Sequence, residues 1–167
     1  TCNAALSDGS AYYINEVAKD IRRVTVKNKS GYVFGQLLEH YEINMQSVML
    51  RYSVLVAENL SFSSKLKYCP DYKLFMEIAS IYSVGVLKDY VVKTRIHDDS
   101  LSKKTVNIAT LEIKFTLDNI LAKTPEMRHN FSKEFDSAYK KLHYYDALSA
   151  IYLNDRRLAR QYLKPCL

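Results

Sequence analysis

The sequence is poor in the residues that interrupt regular structure, with four glycines and three prolines among 167 residues, and it has no tryptophan. So few glycines and prolines predict long secondary-structure elements and few loops. A hydrophobic fraction of 48% is enough for a packed core and argues against a disordered chain. The length fits one domain, or a small α/β unit with a helical appendage.

Several functional signals are also missing. The three cysteines match no zinc motif and no disulfide framework, which predicts a reduced, cytoplasmic protein. No apolar run approaches the roughly 20 residues of a membrane span, and no signal peptide is visible. The absence of an initiator methionine predicts a trimmed or processed chain. A glycine-rich phosphate loop, a nucleophile elbow and a paired-cysteine motif are all absent, which argues against the enzyme classes that depend on them.

The positive charge is concentrated in the carboxyl-terminal third. Residues 101–167 contain 12 basic and 7 acidic side chains, whereas residues 1–100 contain 12 and 11. Such an excess suits an anionic membrane surface, a phosphate-bearing acceptor or nucleic acid, although a solvated helical surface explains it as well. No nucleic-acid-binding motif accompanies it, so we expect no nucleic-acid partner.

The hydrophobic pattern divides the chain at about residue 100. The first region predicts short strands at 11–14, 24–26 and 47–52, helical segments at 31–42 and 54–58, and a turn at 7–10. Its clearest elements are a helix over 69–83 and a strand rich in valine and tyrosine over 84–95. The second region predicts helices only, because apolar residues recur at spacings of three and four. Pro125 marks a helix start, and Asn154 with Asp155 predicts a turn between two final helices.

Asp71 is the strongest candidate for catalysis. Pro70 predicts the start of a helix, and Asp71 would then share its inward face with Leu74, Phe75 and Ile78. A carboxylate at the positive end of such a helix, at the mouth of a cleft, suits a general base acting on a bound hydroxyl. The alternative is that Asp71 only caps the helix.

The end of the predicted 84–95 strand provides a second candidate. Arg95 and His97 alternate along it and would point to one side. Arginine binds diphosphate in a bidentate manner, and histidine binds phosphate or a divalent metal. The alternative is an ordinary strand end, followed by the helix-capping Ser100 or Ser102. Asp98 and Asp99 resemble a polar turn more than a metal site.

The order of these segments resembles the second half of the GT-A fold in family 2 glycosyltransferases. The resemblance extends over about residues 30–105. It rests on a strand at 44–51 that ends in a basic residue, a loop that contains Phe62, the helix that opens with Pro70-Asp71, and a strand tail Thr94-Arg95-Ile96-His97 followed by Ser100. Two positions depart from the family pattern: Pro70 replaces an acidic residue, and Thr94 replaces a tyrosine.

The resemblance implies a nucleotide-sugar transferase that inverts the anomeric carbon. It makes Asp71 the catalytic base, places Pro70 and Tyr72 near the acceptor, and places Arg95 and His97 near the donor diphosphate, with His97 as a metal ligand. A divalent metal, Mg²⁺ or Mn²⁺, would serve the complete enzyme, but its Asp-x-Asp site belongs to an amino-terminal half that is missing here. We therefore expect this chain alone to be inactive and to hold no metal.

The sequence thus predicts an α/β fold, a partial GT-A fold with few strands over residues 1–100, followed by an all-helical region over 101–167. The implied activity is sugar transfer to a glycan or lipid-linked acceptor in the synthesis of a bacterial-type surface polysaccharide. The basic helices would contact the inner face of the membrane, and a homodimer would cover exposed sheet and apolar surface. The alternative function is a non-catalytic helical protein-interaction module.

Overall fold

The structure, a computed structural model, describes residues 4–15, 20–25, 27, 30–96 and 106–166. The chain is mixed α/β, which confirms the predicted fold class. The strands are β1 (Leu6–Asn15), β2 (Asp20–Val24), β3 (Met49–Leu50) and β4 (Val84–Ile96). The helices are α1 (Phe34–Glu39), α2 (Tyr52–Ala57), α3 (Pro70–Ile81), α4 (Val106–Lys123), α5 (Glu126–Asn130), α6 (Ser132–Tyr152) and α7 (Arg156–Leu163), with short 3₁₀ helices at Met45–Ser47 and Lys164–Cys166.

The sheet is built around β1. β2 and β3 pair with it in antiparallel orientation, with Ala11 opposite Val24 and Leu6 opposite Leu50. β4 pairs with β1 in parallel orientation along almost its whole length, and the register shifts on both sides of Ser10. The parallel pair requires a long crossover, which α1, α2 and α3 provide between the two strands.

The predicted turn at 7–10 is wrong, because these four residues lie inside β1. Their polar and small side chains indicated a turn, but Asp8 and Ser10 are almost completely buried. Gly9 allows a close approach, since an added Cβ would lie 2.5 Å from Cγ2 of Val91. Asp8, Gly9 and Ser10 therefore belong to a strand that is packed between neighbouring strands, and local composition does not reveal that packing.

The two clearest predictions, the helix over 69–83 and the strand over 84–95, are confirmed as α3 and β4. Leu74, Phe75 and Ile78 are buried, as their shared helical face predicted. The weaker elements differ in extent. Residues 31–42 form only the six-residue α1, residues 47–52 contribute only the two-residue β3, and β2 lies at 20–24 rather than 24–26.

One hydrophobic core contains residues of α1 and α3 together with residues of α4 and α6. Phe34 of α1 packs edge-to-face against Phe135 of α6, with 6.0 Å between the ring centroids. Leu117 and Ile120 of α4 are buried in the same cluster as Phe75 of α3. The predicted boundary near residue 100 lies in 97–105, outside the described residues.

The last two helices form the predicted hairpin. Asn154 takes a positive φ of 62° at the turn, and the Asp155 side chain accepts a hydrogen bond from the Leu158 backbone N–H at 2.8 Å, which caps α7. Five of the apolar residues whose spacing predicted helices are buried: Leu117, Ile120, Phe135, Ala138 and Leu142. Among the helices that the structure describes, none is long and apolar enough to cross a membrane.

Candidate functional site

Asp71 lies in the first turn of α3 and is half-buried. Cys69 occupies the N-cap position and Pro70 the first helical position, so Asp71 is not the capping residue. Its negative charge is nevertheless favoured there by the positive end of the helix dipole. The helix therefore holds a partly accessible carboxylate at the edge of the core.

Tyr41 is the aromatic neighbour of this carboxylate. Its ring packs on that of Tyr72, with 4.7 Å between the centroids. Burial, and then the charges of Asp71 and nearby groups, raise the pKa of Tyr41 far above its ordinary value. The Tyr41 hydroxyl is buried and has no hydrogen-bond partner within the described part of the chain. This neutral hydroxyl is an unused donor inside the core, and its burial closes it to ligands in this structure.

A second carboxylate, Asp8, lies near Tyr41 and was not predicted as a site residue. Its side chain accepts hydrogen bonds from the Ser47 hydroxyl at 2.5 Å, the Gly9 N–H at 2.8 Å and the Asn44 N–H at 3.3 Å. Burial raises the pKa of Asp8, and these three donors only partly oppose that effect. Asp8 thus fixes the 3₁₀ turn beside β1 and contributes to the electrostatic environment of Tyr41.

Glu112 of α4 holds the loop that leads into α3. Its carboxylate accepts three backbone hydrogen bonds, from the N–H of Lys67 at 2.8 Å, of Tyr68 at 2.9 Å and of Cys69 at 2.7 Å. Burial opposes ionisation of Glu112, but these donors outweigh it and hold its pKa below the ordinary value. The last donor lies two residues before Asp71, so a side chain of the helical region positions the candidate base.

Arg95 lies far along the sheet from this group. It is exposed near the end of β4 and pairs in register with Ile14, whereas Asp8 pairs with Val86. Along β1 the matching positions, Asp8 and Ile14, are six residues apart (14 minus 8), which is about 20 Å of extended strand, because β4 has extra residues at the two register shifts. The structure therefore does not bring Arg95 next to Asp71. His97, Asp98 and Asp99 lie outside the described residues.

Pro70 and Tyr72, the predicted acceptor contacts, differ in exposure. Pro70 is half-buried at the first position of α3, whereas Tyr72 is buried against Tyr41 and the core. Burial raises the pKa of Tyr72, so its hydroxyl stays neutral. Tyr41 lies in the segment after α1, close to Asp71. Its sequence pattern did not identify it as a site residue.

The residues that the structure describes provide no group of three or more histidine, cysteine, aspartate or glutamate side chains able to hold a metal ion. Asp8 is already hydrogen-bonded by three donors, and Glu112 by three more. These carboxylates do not fit the divalent metal that the resemblance implies. Cys69 is a free thiol, and burial raises its pKa to about 11, so it is a poor nucleophile at neutral pH.

Comparison with known proteins gives no relative: no family model matches the chain, and neither a curated protein nor a solved structure matches it.

Proposed function

We propose that the chain is the acceptor-side, carboxyl-terminal part of an inverting family 2 glycosyltransferase of the GT-A fold, and that Asp71 is its general base. The observation that supports this proposal is the position of Asp71, half-buried at the start of a helix whose remaining inward face is packed in the core. The order of the quoted segments supports the family, and the mixed α/β class agrees with it.

In this mechanism the Asp71 carboxylate removes the proton of the acceptor hydroxyl as the oxygen attacks the anomeric carbon. The attack comes from the face opposite the leaving group, so the configuration inverts. The bond between the anomeric carbon and the donor phosphate oxygen breaks, and the nucleoside diphosphate leaves with its electron pair. Arg95 is not expected to contact the same sugar, because about 20 Å of strand separates it from the part of the sheet that holds Asp8.

The test is Asp71→Asn in the complete protein that contains this sequence. Loss of a general base should lower the transfer rate by about 100-fold or more, with stability unchanged. The assay measures release of nucleoside diphosphate from a panel of nucleotide sugars, with and without acceptor. Asp136→Asn is a matched control, because Asp136 is an exposed carboxylate on α6 paired with Arg128. An Asp71→Asn rate within threefold of wild type would remove Asp71 from this role.

The 167-residue chain alone should transfer no sugar, because the resemblance extends only over the acceptor-side half. A measurable rate from the isolated chain with any nucleotide sugar would contradict this part of the proposal. The donor metal would be bound by the remainder of the complete enzyme. Activity at the inner face of the membrane, in the synthesis of surface polysaccharide, belongs to the same proposal.

A non-catalytic protein-interaction module is the second candidate. Large apolar side chains are exposed where α6 turns into α7: Tyr144, Tyr145, Ile151, Tyr152 and Leu153. Clusters of this kind occur at protein interfaces, and self-association into a homodimer is the simplest form. Sedimentation of wild type and Tyr152→Ser tests it: a concentration-dependent dimer lost in the variant supports this function, and a monomeric wild type contradicts the homodimer.

A further inference from the structure

A cleft between the β1–β2 hairpin and the segment after α1 is unused by the proposed chemistry of Asp71. It encloses about 640 Å³, within the range of small-molecule sites. Its walls carry two basic side chains, Arg22 and Lys27, and one acidic side chain, Glu42. The charged side chains of the described lining are therefore net positive by one (two minus one). Gly9, Ala11 and Tyr13 provide an apolar wall on β1.

The arrangement of these charges favours an anionic ligand. Lys27 and Glu42 form an ion pair with 3.3 Å between Nζ and Oε1, but Lys27 is 81% exposed. Such an exposed pair is weak and is easily exchanged for a phosphate. Arg22, which pairs with Tyr13 on the cleft side of the hairpin, offers a fork-shaped guanidinium group that matches phosphate oxygens. Arg23 instead lies over the Tyr12 ring, with 5.9 Å from Cζ to the centroid, on the other face of the hairpin.

The cleft adjoins the candidate base through two shared elements. Glu42, Ile43 and Asn44 line it directly after Tyr41, the neighbour of Asp71. On the other wall, Gly9 follows Asp8, whose carboxylate accepts the Asn44 N–H. A ligand in the cleft would thus lie close to Tyr41 and Asp71.

We propose that this cleft binds a phosphate or diphosphate group carried by the acceptor, with Arg22 and Lys27 as its cationic contacts. This inference rests on the proposed transferase function and specifies the acceptor as a phosphorylated glycan or a lipid phosphate headgroup. Glu42 opposes the ligand's charge and releases Lys27 when the phosphate binds.

Calorimetric titration of the 167-residue chain with inorganic pyrophosphate tests the site without requiring catalysis. Arg22→Gln and Lys27→Gln should each weaken binding by about fivefold to tenfold, the range for one lost charge-assisted contact. Glu42→Gln should strengthen it, because the only opposing charge among the described lining residues is removed. Arg156→Gln, an exposed arginine on α7, is the matched control and should leave binding unchanged.

Two further ligands distinguish the sources of the phosphate. Glucose 1-phosphate represents a soluble acceptor, and phosphatidylcholine vesicles with and without phosphatidic acid represent a lipid headgroup. Binding of either, weakened by Arg22→Gln, supports the proposal and identifies the source. No binding of any phosphate, or equal weakening by Arg156→Gln, would overturn it. Turnover retained in Asp71→Asn, with pyrophosphate binding intact, would overturn the proposed base and leave this site standing, so the two proposals fail separately.

Discussion

Glu112→Ala should destabilise the protein by detaching the loop ahead of α3 from α4. The carboxylate accepts three backbone N–H groups at 2.7 to 2.9 Å. A hydrogen bond from a side chain to a backbone N–H at a helix start is worth about 1 kcal/mol, so the loss should total about 2–3 kcal/mol. Glu112→Gln keeps one acceptor oxygen and should lose about half of this amount.

Urea denaturation with a fluorescence or circular dichroism readout measures the change in the free energy of unfolding. Hydrogen exchange of the amides of residues 67–69 provides the local readout, and their protection should fall in the alanine variant. Glu39→Ala, which removes an exposed carboxylate at the end of α1, should stay within about 0.5 kcal/mol of wild type. If Glu112→Ala also stays within that range and exchange is unchanged, the three hydrogen bonds do not stabilise the loop.

The same interaction predicts a pH dependence. The pKa of Glu112 is lower in the folded chain than its ordinary value of 4.5, so the folded state binds this proton less tightly than the unfolded state. The stabilisation is therefore complete above about pH 5 and is lost as the pH falls through the folded-state pKa. The difference in stability between wild type and Glu112→Gln should shrink over that acidic range. A difference that stays constant down to pH 3 would contradict the assignment.

Two other substitutions test the neighbourhood of β1 and Tyr41. Gly9→Ala should lower the free energy of unfolding by about 1–2 kcal/mol, because its Cβ would lie 2.5 Å from Cγ2 of Val91. In a denaturation double-mutant cycle, Val91→Ala should remove most of that cost. Equal costs in both backgrounds would refute the clash. Tyr41→Phe should raise the free energy of unfolding by up to about 1 kcal/mol, since a buried unpaired hydroxyl is removed. A loss of stability would mean that the hydroxyl has a partner.

Hydrophobic spacing and composition predicted the two clearest elements. α3 was identified because its apolar positions share one helical face and because Pro70 marks a helix start, whereas β4 was identified from its valine and tyrosine content. The same logic placed Asp71 at the edge of the core. β1 was only partly predicted, because Asp8, Gly9 and Ser10 are typical turn residues and their burial depends on β4, more than 70 residues later.

The rest of the candidate site depends on contacts between distant segments. Glu112 reaches backbone groups that lie 43 to 45 residues earlier in the chain, and no local pattern distinguishes it from a solvated glutamate on a helix. Tyr41 is recognisable as a site residue only once α3 is placed beside it. Conversely, Arg95 matched a sequence motif, but the register of the β1–β4 pair places it about 20 Å along the sheet from Asp8.

The joint core has a practical consequence for how this chain can be divided. Phe135 and Leu117 supply apolar surface that Phe34 and Phe75 need on the other side of residue 100. Expressing residues 1–100 alone would leave those phenylalanines facing solvent and would also free the loop next to Asp71. A shortened version for crystallisation or screening should therefore keep α4 and α6, and any trimming is better confined to α7 and the residues after it.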